Sequence, residues 1–372
     1  MRKIYLKFLP LFAAGLFLSM LVASCKREPK VTPVVTPAAP LATLGLYELD
    51  SGVYKRVFIA ISKVGNLSVT YYSIFDTGST GMTIDATSLL PPAMVTSSGI
   101  TVPGDSVNVN GITVTNQTSI IAYGDAQSEV QEFGNLAYTT VMLGDQNGSY
   151  TTGRIPIFLY YKIVDVTTGQ KLPPHSNDVF GVGPGVSFAN SSIGSPLSYF
   201  TEKNGGVSGF KLALFNNEDF TNYGTYVSGL LTIGLIPKDL ASSSGFALHP
   251  LAYYSQGGYS SDIPATISYE GNTVPATVLF DTGTPAISLI ANPNAPSNIT
   301  TLPDGTSVKL TTNAGFSYTY TVNNNTNEVN DLTQVTKPSY TGDPRTIFSI
   351  NFFTDNEYLL DYQHHEIGLK NN

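Results

Sequence analysis

The feature that most constrains the fold is a string that occurs twice. The segment YYSIFDTGSTGMTI ends at Ile84, and ATVLFDTGTPAISLI ends at Ile290. In each, an apolar run ends in Phe and leads into Asp-Thr-Gly and a hydroxyl residue. One such string is ordinary turn chemistry, because Asp bonds nearby backbone and Gly tolerates positive φ. Two copies in the same context, 205 residues apart, are too distant for a solenoid repeat and predict a duplicated, two-lobed protein.

The rest of the chain consists of short apolar runs separated by turn-forming residues. Segments such as VFIAISKV, GITVTNQTSIIAY, GLLTIGLI and VPATVLF alternate or run apolar over strand lengths. No long segment with a helical period follows Val53. A short helix is predicted from Ser195 to Thr201, with Ser195 as cap and Pro196 in the first position, and another around 350–354. The sequence therefore predicts an all-β protein with a few short helices.

The N-terminus has the features of an export signal. Arg2, Lys3 and Lys7 form a basic start, the stretch Phe8–Ala23 is almost entirely apolar, and small residues precede Cys25. This arrangement resembles a bacterial lipoprotein signal peptide, residues 1–24, cleaved before a Cys25 that then carries lipid. An ordinary secretory signal or a transmembrane anchor is the alternative. Lipidation predicts a cell-envelope protein, anchored to a bacterial membrane on its periplasmic or cell-surface face.

A proline-rich tether, residues 25–44, precedes the predicted folded part. Its regularly spaced prolines favour an extended, semi-rigid spacer, so folding is expected to begin near Gly45. The two strings divide the remainder into an N-terminal lobe, 45–240, and a C-terminal lobe, 241–372. The net charge of −8 lacks the basic footprint that nucleic-acid binding requires, so no nucleic-acid partner is expected.

The two strings resemble the active-site loops of pepsin-like aspartic proteases, with Asp76 and Asp281 as the catalytic pair. After the first string, IIAYGDAQ resembles the flap of that family, and Tyr123 and Gly124 match its tyrosine and glycine. The segments NDVFGVGPG, GLLTIG and TIFSINFFTDNEYLLDYQHHEIGLK follow in the family's order. The resemblance implies an all-β, bilobal pepsin-like acid-protease fold, in which two pseudo-twofold-related lobes enclose a cleft.

The resemblance also implies a role for each residue of the strings. Two close carboxyl groups do not both ionise readily, so Asp76 and Asp281 would share acid and base duties on a water that attacks the peptide bond. Which aspartate is the base stays open. Three kinds of supporting residue are expected: threonines bonding across the twofold axis, glycines allowing close approach, and hydroxyls bonding the carboxylates (Thr77 and Thr282, Gly78 and Gly283, Ser79 and Thr284). Tyr123 would cap the cleft on a mobile hairpin.

The expected partners are a peptide or protein substrate in extended conformation and a membrane bound through the lipid on Cys25. The protein is expected to be a monomer and to need no cofactor or metal. His364 and His365 form a pair without a third ligand in view. His175 and His249 each lie next to a proline, in segments whose sequence is typical of loops. All four histidines are therefore expected to be exposed to solvent.

Several positions depart from the family pattern. Thr83 stands where many members carry a tryptophan that supports the flap tyrosine, Pro285 follows the second string, and the flap tip reads Gly-Asp-Ala. Ser349 replaces the glycine beside the second loop, and Ile350 replaces the acid that commonly follows. These departures leave open a catalytically inactive pepsin-fold lipoprotein that binds peptide or glycan. A β-rich surface adhesin is a third hypothesis, and it would leave the two aspartates far apart.

Overall fold

The predicted strand-rich character is confirmed over the part of the chain that can be described. The computed structural model describes residues 38–51, 54–125, 128–200, 205–255, 257–324 and 332–372. The predicted signal segment, Cys25 and most of the tether lie outside the described residues. The first strand begins at Ala42, three residues before Gly45. Within the described ranges, no helix has the length and apolar character needed to cross a membrane.

The described residues of the first half form fifteen strands. They are β1 (Ala42–Asp50), β2 (Lys55–Val64), β3 (Leu67–Asp76), β4 (Thr80–Asp85), β5 (Val95–Thr96), β6 (Gly99–Ile100), β7 (Ser106–Val109), β8 (Ile112–Asp125), β9 (Ser128–Thr139), β10 (Val141–Asp145), β11 (Gly148–Thr151), β12 (Ile155–Asp165), β13 (Val179–Val182), β14 (Val207–Leu212) and β15 (Thr225–Leu235).

In the second half, the part of the chain that the structure describes adds thirteen strands. They are β16 (Ala247–Pro250), β17 (Tyr253–Tyr254), β18 (Gly258–Tyr259), β19 (Ile263–Tyr269), β20 (Asn272–Phe280), β21 (Ser288–Ala291), β22 (Ile299–Thr301), β23 (Ser307–Thr312), β24 (Ser317–Thr321), β25 (Thr333–Thr336), β26 (Thr346–Phe348), β27 (Asn356–Asp361) and β28 (Glu366–Asn371). The described helices are single turns: α1 (Pro237–Leu240), α2 (Pro338–Thr341), α3 (Phe352–Asp355) and 3₁₀ turns at Pro196–Tyr199, Asn217–Asp219 and Ser242–Ser244.

Both short helices expected from sequence are present in part. The turn at Pro196–Tyr199 is preceded by Ser195, whose side chain accepts a hydrogen bond from the Leu197 N–H at 3.2 Å. Proline fits the first position because its missing N–H would have no helical partner there. Around 350–354, the helix is α3.

A large sheet joins the two halves of the chain. Its strands lie in the order β16-β28-β27-β14-β15-β1-β2-β3-β13-β4-β12-β9-β8-β7, with β10 and β11 attached to β2. The last strands of the chain therefore extend the sheet that contains the first strand. A separate eight-stranded sheet, β22-β25-β21-β26-β20-β19-β23-β24, is built from the second half alone.

The two Asp-Thr-Gly strings occupy equivalent places in these sheets. In the first half, β13 runs parallel to β3 and antiparallel to β4. In the second half, β26 runs parallel to β20 and antiparallel to β21. In each case a later strand lies between the strand before the string and the strand after it. The duplication read from the sequence is thus a duplication of topology.

Candidate active site

Asp76 is the last residue of β3, a strand whose environment changes along its length. Its first six residues alternate between half-buried and exposed positions, whereas Phe75 and Asp76 are both buried. The change occurs where β13 pairs with it, placing Gly181 opposite Asp76. A Cβ at Gly181 would lie 2.7 Å from Ser79 Oγ and 2.8 Å from Gly81 O. Glycine there leaves room for the first loop to turn back tightly against β13.

The second loop follows β20 and is held by the residues around β26. The Asp281 N–H donates to Phe348 O at 2.9 Å, and the Ile350 N–H donates to Thr284 O at 3.1 Å. In the first half the Gly183 N–H makes the matching bond to Ser79 O at 2.7 Å. Ser349, fully buried, stands where the family has glycine, with its hydroxyl 3.3 Å from Ser288 Oγ. Ser288 thus accommodates this departure.

The Asp76 carboxylate is held by three donors from its own loop. The Gly78 and Ser79 N–H groups donate to Oδ1 at 2.7 and 3.0 Å. The Ser79 hydroxyl donates to Oδ2 at 2.6 Å. With one hydroxyl and two amides fixing it, the carboxylate has little rotational freedom.

The Asp281 carboxylate is held in a similar way but by fewer donors. The Gly283 N–H donates to Oδ1 at 2.7 Å, and the Thr284 hydroxyl donates to Oδ2 at 2.6 Å. The Thr284 N–H donates instead to the main-chain oxygen of Asp281 at 3.3 Å. The two loops are therefore equivalent in design but differ in the number of donors that face each carboxylate.

Thr77 and Thr282 tie the two loops together. Thr77 Oγ1 donates to Phe280 O at 2.7 Å and accepts from the Thr282 N–H at 3.0 Å. Reciprocally, Thr282 Oγ1 donates to Phe75 O at 2.6 Å and accepts from the Thr77 N–H at 3.1 Å. Both threonines are fully buried. Each hydroxyl satisfies a donor and an acceptor of the opposite loop, which fixes the distance between the loops.

The reciprocal glycines bring the two carboxyl groups face to face. A Cβ on Gly78 would lie 2.5 Å from Asp281 Cγ, and one on Gly283 would lie 2.7 Å from Asp76 Cγ. Each glycine therefore packs directly against the carboxyl group of the other loop. Burial raises the pKa of Asp76, and the nearby charge of Asp281 raises it further, against the opposing effect of the Ser79 and Gly78 hydrogen bonds. The geometry favours one shared proton on the pair.

Tyr123 lies near the pair, on β8 of the hairpin formed with β9. It is partly buried, and burial raises the pKa of its hydroxyl well above the usual value, as do the charges of Glu132 and Asp76, while a bond with Thr83 opposes the shift. The Thr83 hydroxyl accepts from the Val179 N–H at 3.3 Å. Gly124 adopts a φ of +106°. The tip residues 126–127 lie outside the described residues.

Arg56 is a charged neighbour of the pair that the sequence did not identify. It lies on β2, partly buried. Burial lowers the pKa of its guanidinium, while the charges of Asp281 and Asp76 raise it. No motif surrounds Arg56, and only the pairing of distant strands brings it here.

The expectation that all histidines are exposed is wrong for three of them, and one of these is His365, which is partly buried and stacks on Tyr259. His249 is buried, with its ring nitrogens 2.7 Å from Thr312 Oγ1 and 3.1 Å from Ile367 O. His175 is half-buried and lies 2.7 Å from Asp178 Oδ2. His364 is exposed, as expected, and lies 2.7 Å from Asp361 Oδ2. The neighbouring prolines indicated loops, but the burial of a histidine side chain depends on the tertiary packing around it.

Comparison with known proteins supports the fold. No family model and no curated protein sequence matches the chain. The structure is similar to an aspartic proteinase from Irpex lacteus, with a TM-score of 0.54 and 16% identity over 89% of this chain and 98% of that one. It is also similar to conglutin gamma, a basic 7S globulin from lupine seeds, with a TM-score of 0.55 and 11% identity over 90% and 96% of the two chains.

These likenesses establish the class of fold. The chain adopts the bilobal, pepsin-like acid-protease fold, as the sequence predicted. At such low identity the likeness speaks for the fold alone, and the activity must be argued from the residues of the site.

Proposed function

We propose that this chain is an aspartic endopeptidase, hydrolysing peptide bonds with a water activated between Asp76 and Asp281. The observation that carries the proposal is the reciprocal support of the two carboxyl groups. Each accepts an amide and a hydroxyl bond from its own loop. Each also packs against the glycine of the other loop. A binding site has no need of a buried Asp76 and a partly buried Asp281 held face to face.

The chemistry follows from the shared proton. The ionised member of the pair accepts a proton from the water as it attacks the carbonyl carbon, and the protonated member donates to the carbonyl oxygen. When the carbon–nitrogen bond breaks, the first member gives the proton that it took from water to the leaving nitrogen, and the second member recovers its proton from a hydroxyl of the tetrahedral carbon, which becomes the new carboxyl group. Both carboxyl groups end the cycle as they began it, so no covalent intermediate with the protein forms.

The remaining parts of the proposal concern the substrate and its location. An extended peptide would lie in the cleft under the hairpin β8–β9, with Tyr123 closing over it and excluding water. We propose that the chain acts as a monomer and is held at a bacterial membrane by lipid on Cys25. The supporting observation for the anchor is the sequence pattern of residues 1–25.

The test is cleavage of a denatured protein by the purified full-length chain in detergent, between pH 3 and 7. Asp76→Asn and Asp281→Asn should each abolish cleavage, and a transition-state-mimicking inhibitor of aspartic proteases should block it. Asp304→Asn is the matched control, because Asp304 is exposed and its carboxylate accepts from the Asn324 N–H at 2.5 Å, outside the two Asp-Thr-Gly loops. Circular dichroism establishes that each variant is folded.

Two outcomes would decide against hydrolysis. Cleavage that survives both Asn substitutions would refute the role of the pair. A folded wild-type chain that cleaves nothing across this range, yet binds peptide or glycan, would favour the non-hydrolytic binder. The adhesin hypothesis expected the two aspartates far apart, and the facing carboxyl groups argue against it.

A further inference from the structure

Lys55 is a buried cation at the start of β2. Only 5% of the residue is exposed, and its ammonium lies 4.7 Å from the centre of the Phe220 ring, which is itself buried. Lysine is rarely buried to this extent unless its charge is paired or hydrogen-bonded, because an isolated charge is costly away from water. The groups that accept bonds from this ammonium therefore indicate what the residue does.

Two side-chain amides, one from each half of the chain, accept hydrogen bonds from Lys55. Its Nζ donates to Asn217 Oδ1 at 2.5 Å and to Asn351 Oδ1 at 3.1 Å. Asn217 is half-buried in a 3₁₀ turn of the first half, whereas Asn351 is buried and directly precedes α3 in the second half. Lys55 thus links the first half of the chain to the segment before α3.

Asn351 also contacts the second Asp-Thr-Gly loop. Its Nδ2 donates to Ala286 O at 3.2 Å, and the N–H of the preceding Ile350 donates to Thr284 O at 3.1 Å. Lysine can only donate and a carbonyl can only accept, so the oxygen of the Asn351 amide must face Lys55 while its nitrogen faces Ala286. The amide is therefore held at both ends, between the buried cation and the loop.

The equivalent position in the first half cannot make this contact. The bond from Ile350 to Thr284 matches the bond from Gly183 to Ser79, so Asn351 corresponds to Pro184. Proline has no side-chain donor. The Asp281 carboxylate also accepts fewer bonds from its own loop than Asp76 does. Asn351 therefore adds support to the loop that is held by fewer donors of its own.

Three acids lie around Lys55 on the elements that pack against it. They are Asp50, its cross-strand partner on β1, Glu48 two residues earlier on the same strand, and Asp219 in the 3₁₀ turn. The carboxyl oxygens of Glu48 are buried without a hydrogen-bond partner among the described residues. Burial, with the charge of Asp219, raises the pKa of Glu48 to about 8 against the opposing charge of Lys55. Glu48 is therefore largely protonated between pH 3 and 7 and adds no titration of its own to an assay in that range.

We propose that Lys55 is a positioning residue for the second active-site loop: through Asn351 it holds residues 284–286, and with them the Asp281 carboxylate, in the geometry that hydrolysis requires. This inference rests on the proposed peptidase function. Thr284 is the link to the carboxylate, because its hydroxyl donates to Asp281 Oδ2 at 2.6 Å. Lys55 does not touch the reacting atoms and acts only through Asn351 and the loop.

The test compares kcat, KM and unfolding temperature of full-length variants, with the denatured protein as substrate. Lys55→Met keeps an apolar stem but cannot donate, and Asn351→Ala removes both bonds of the amide. Each should lower kcat about tenfold and leave KM within about twofold of wild type, since the loop carries a reacting group. Adding Lys55→Met to Asn351→Ala should cause no further loss of kcat, because Lys55 acts through Asn351.

The matched control is Asn217→Ala. Asn217 accepts from the same ammonium but belongs to a turn of the first half. Its loss should lower the unfolding temperature as Asn351→Ala does, while kcat stays within about twofold of wild type. The pH–rate profile is the second control. Lys55→Met should lower the profile without moving its apparent pKa values, whereas the loss of a cation that acted directly on the aspartate pair would raise them.

Three results would overturn the inference while leaving the peptidase intact. They are an Asn217→Ala variant as impaired in kcat as Asn351→Ala, a further tenfold loss when Lys55→Met is added to Asn351→Ala, and a pH–rate profile of Lys55→Met that moves to higher pH. If Lys55→Met does not fold, the comparison of the two asparagines still decides, because neither change removes the buried charge. A wild-type chain without cleavage or inhibitor binding would instead refute the proposed function itself, and the inference with it.

Discussion

The reciprocal packing of glycine against carboxyl makes Gly78→Ala a sharp test of the site. The added Cβ would lie 2.5 Å from Asp281 Cγ and 2.6 and 2.7 Å from its two oxygens, whereas ordinary contacts begin at 3.4 Å. The carboxyl group or the loop must therefore move by about 0.9 Å. Gly78 is not among the glycines with positive φ, so alanine meets no backbone strain there. The whole effect is a displacement of the pair.

A displacement of about 1 Å at reacting groups costs on the order of 100-fold in rate. We therefore expect Gly78→Ala to lower kcat/KM by about 100-fold in the denatured-protein assay, with a stability loss of about 1–3 kcal/mol from overpacking. Thermal unfolding followed by circular dichroism measures the second quantity. Gly283→Ala should behave alike, because its Cβ would lie 2.7 Å from Asp76 Cγ.

The matched control is Gly153→Ala. Gly153 is exposed, has no positive φ, and its added Cβ would meet no atom within 4 Å. It should leave both rate and stability unchanged. A folded Gly78→Ala protein that cleaves within twofold of wild type would refute the claim that the two carboxyl groups work at contact distance.

Two other predictions concern the same loops. Thr282→Val leaves the Thr77 N–H and Phe75 O without their hydrogen-bond partner. It should lower the free energy of unfolding by about 1–3 kcal/mol for each of these two groups. Urea unfolding measures this loss, and an unchanged midpoint would contradict the prediction. Asp76→Asn should be more stable than wild type at pH 8 but not at pH 3. Burial and Asp281 raise the pKa of Asp76 in the folded protein. The wild type therefore loses stability as the pH rises from the pKa of Asp76 in the unfolded chain, about 3.9, through its higher pKa in the folded protein. The asparagine variant has no such group to ionise and does not lose this stability. A difference that is independent of pH would refute this reasoning.

The fold and the centre of the site could be predicted because the relevant signals are local. Each Asp-Thr-Gly string carries its strand, its turn and its own carboxylate donors within a few residues. The Ser195–Pro196 cap is local in the same sense, since cap and helix are adjacent in the chain. Because the string occurs twice, the sequence also predicted that each half of the chain contributes one loop to the site.

What the sequence did not reveal depends on contacts between distant segments. Period-two alternation indicates which residues share a face but not which strand lies alongside. No sequence feature near Arg56 predicts that Arg56 lies close to the aspartate pair. Likewise, no feature near His249 predicts that Thr312 lies beside the imidazole ring of His249. Glu132 had one usable signal, an acid two residues after Val130 and therefore on the same face of the strand, but its complete burial between β8 and β12 requires the folded sheet.

The aspartate pair also opposes the stability of the fold that carries it. Burial and the facing Asp281 disfavour the ionisation of Asp76, and replacing Asp76 by asparagine would remove that cost. The loops nevertheless stay together, because Thr77 and Thr282 bond across them and Tyr362 donates to Val182 O at 2.7 Å from the far end of the shared sheet. A protein that only bound peptide would be more stable with a single acid at this place. The presence of both acids, each with its own amide and hydroxyl donors, is therefore better explained by hydrolysis than by binding.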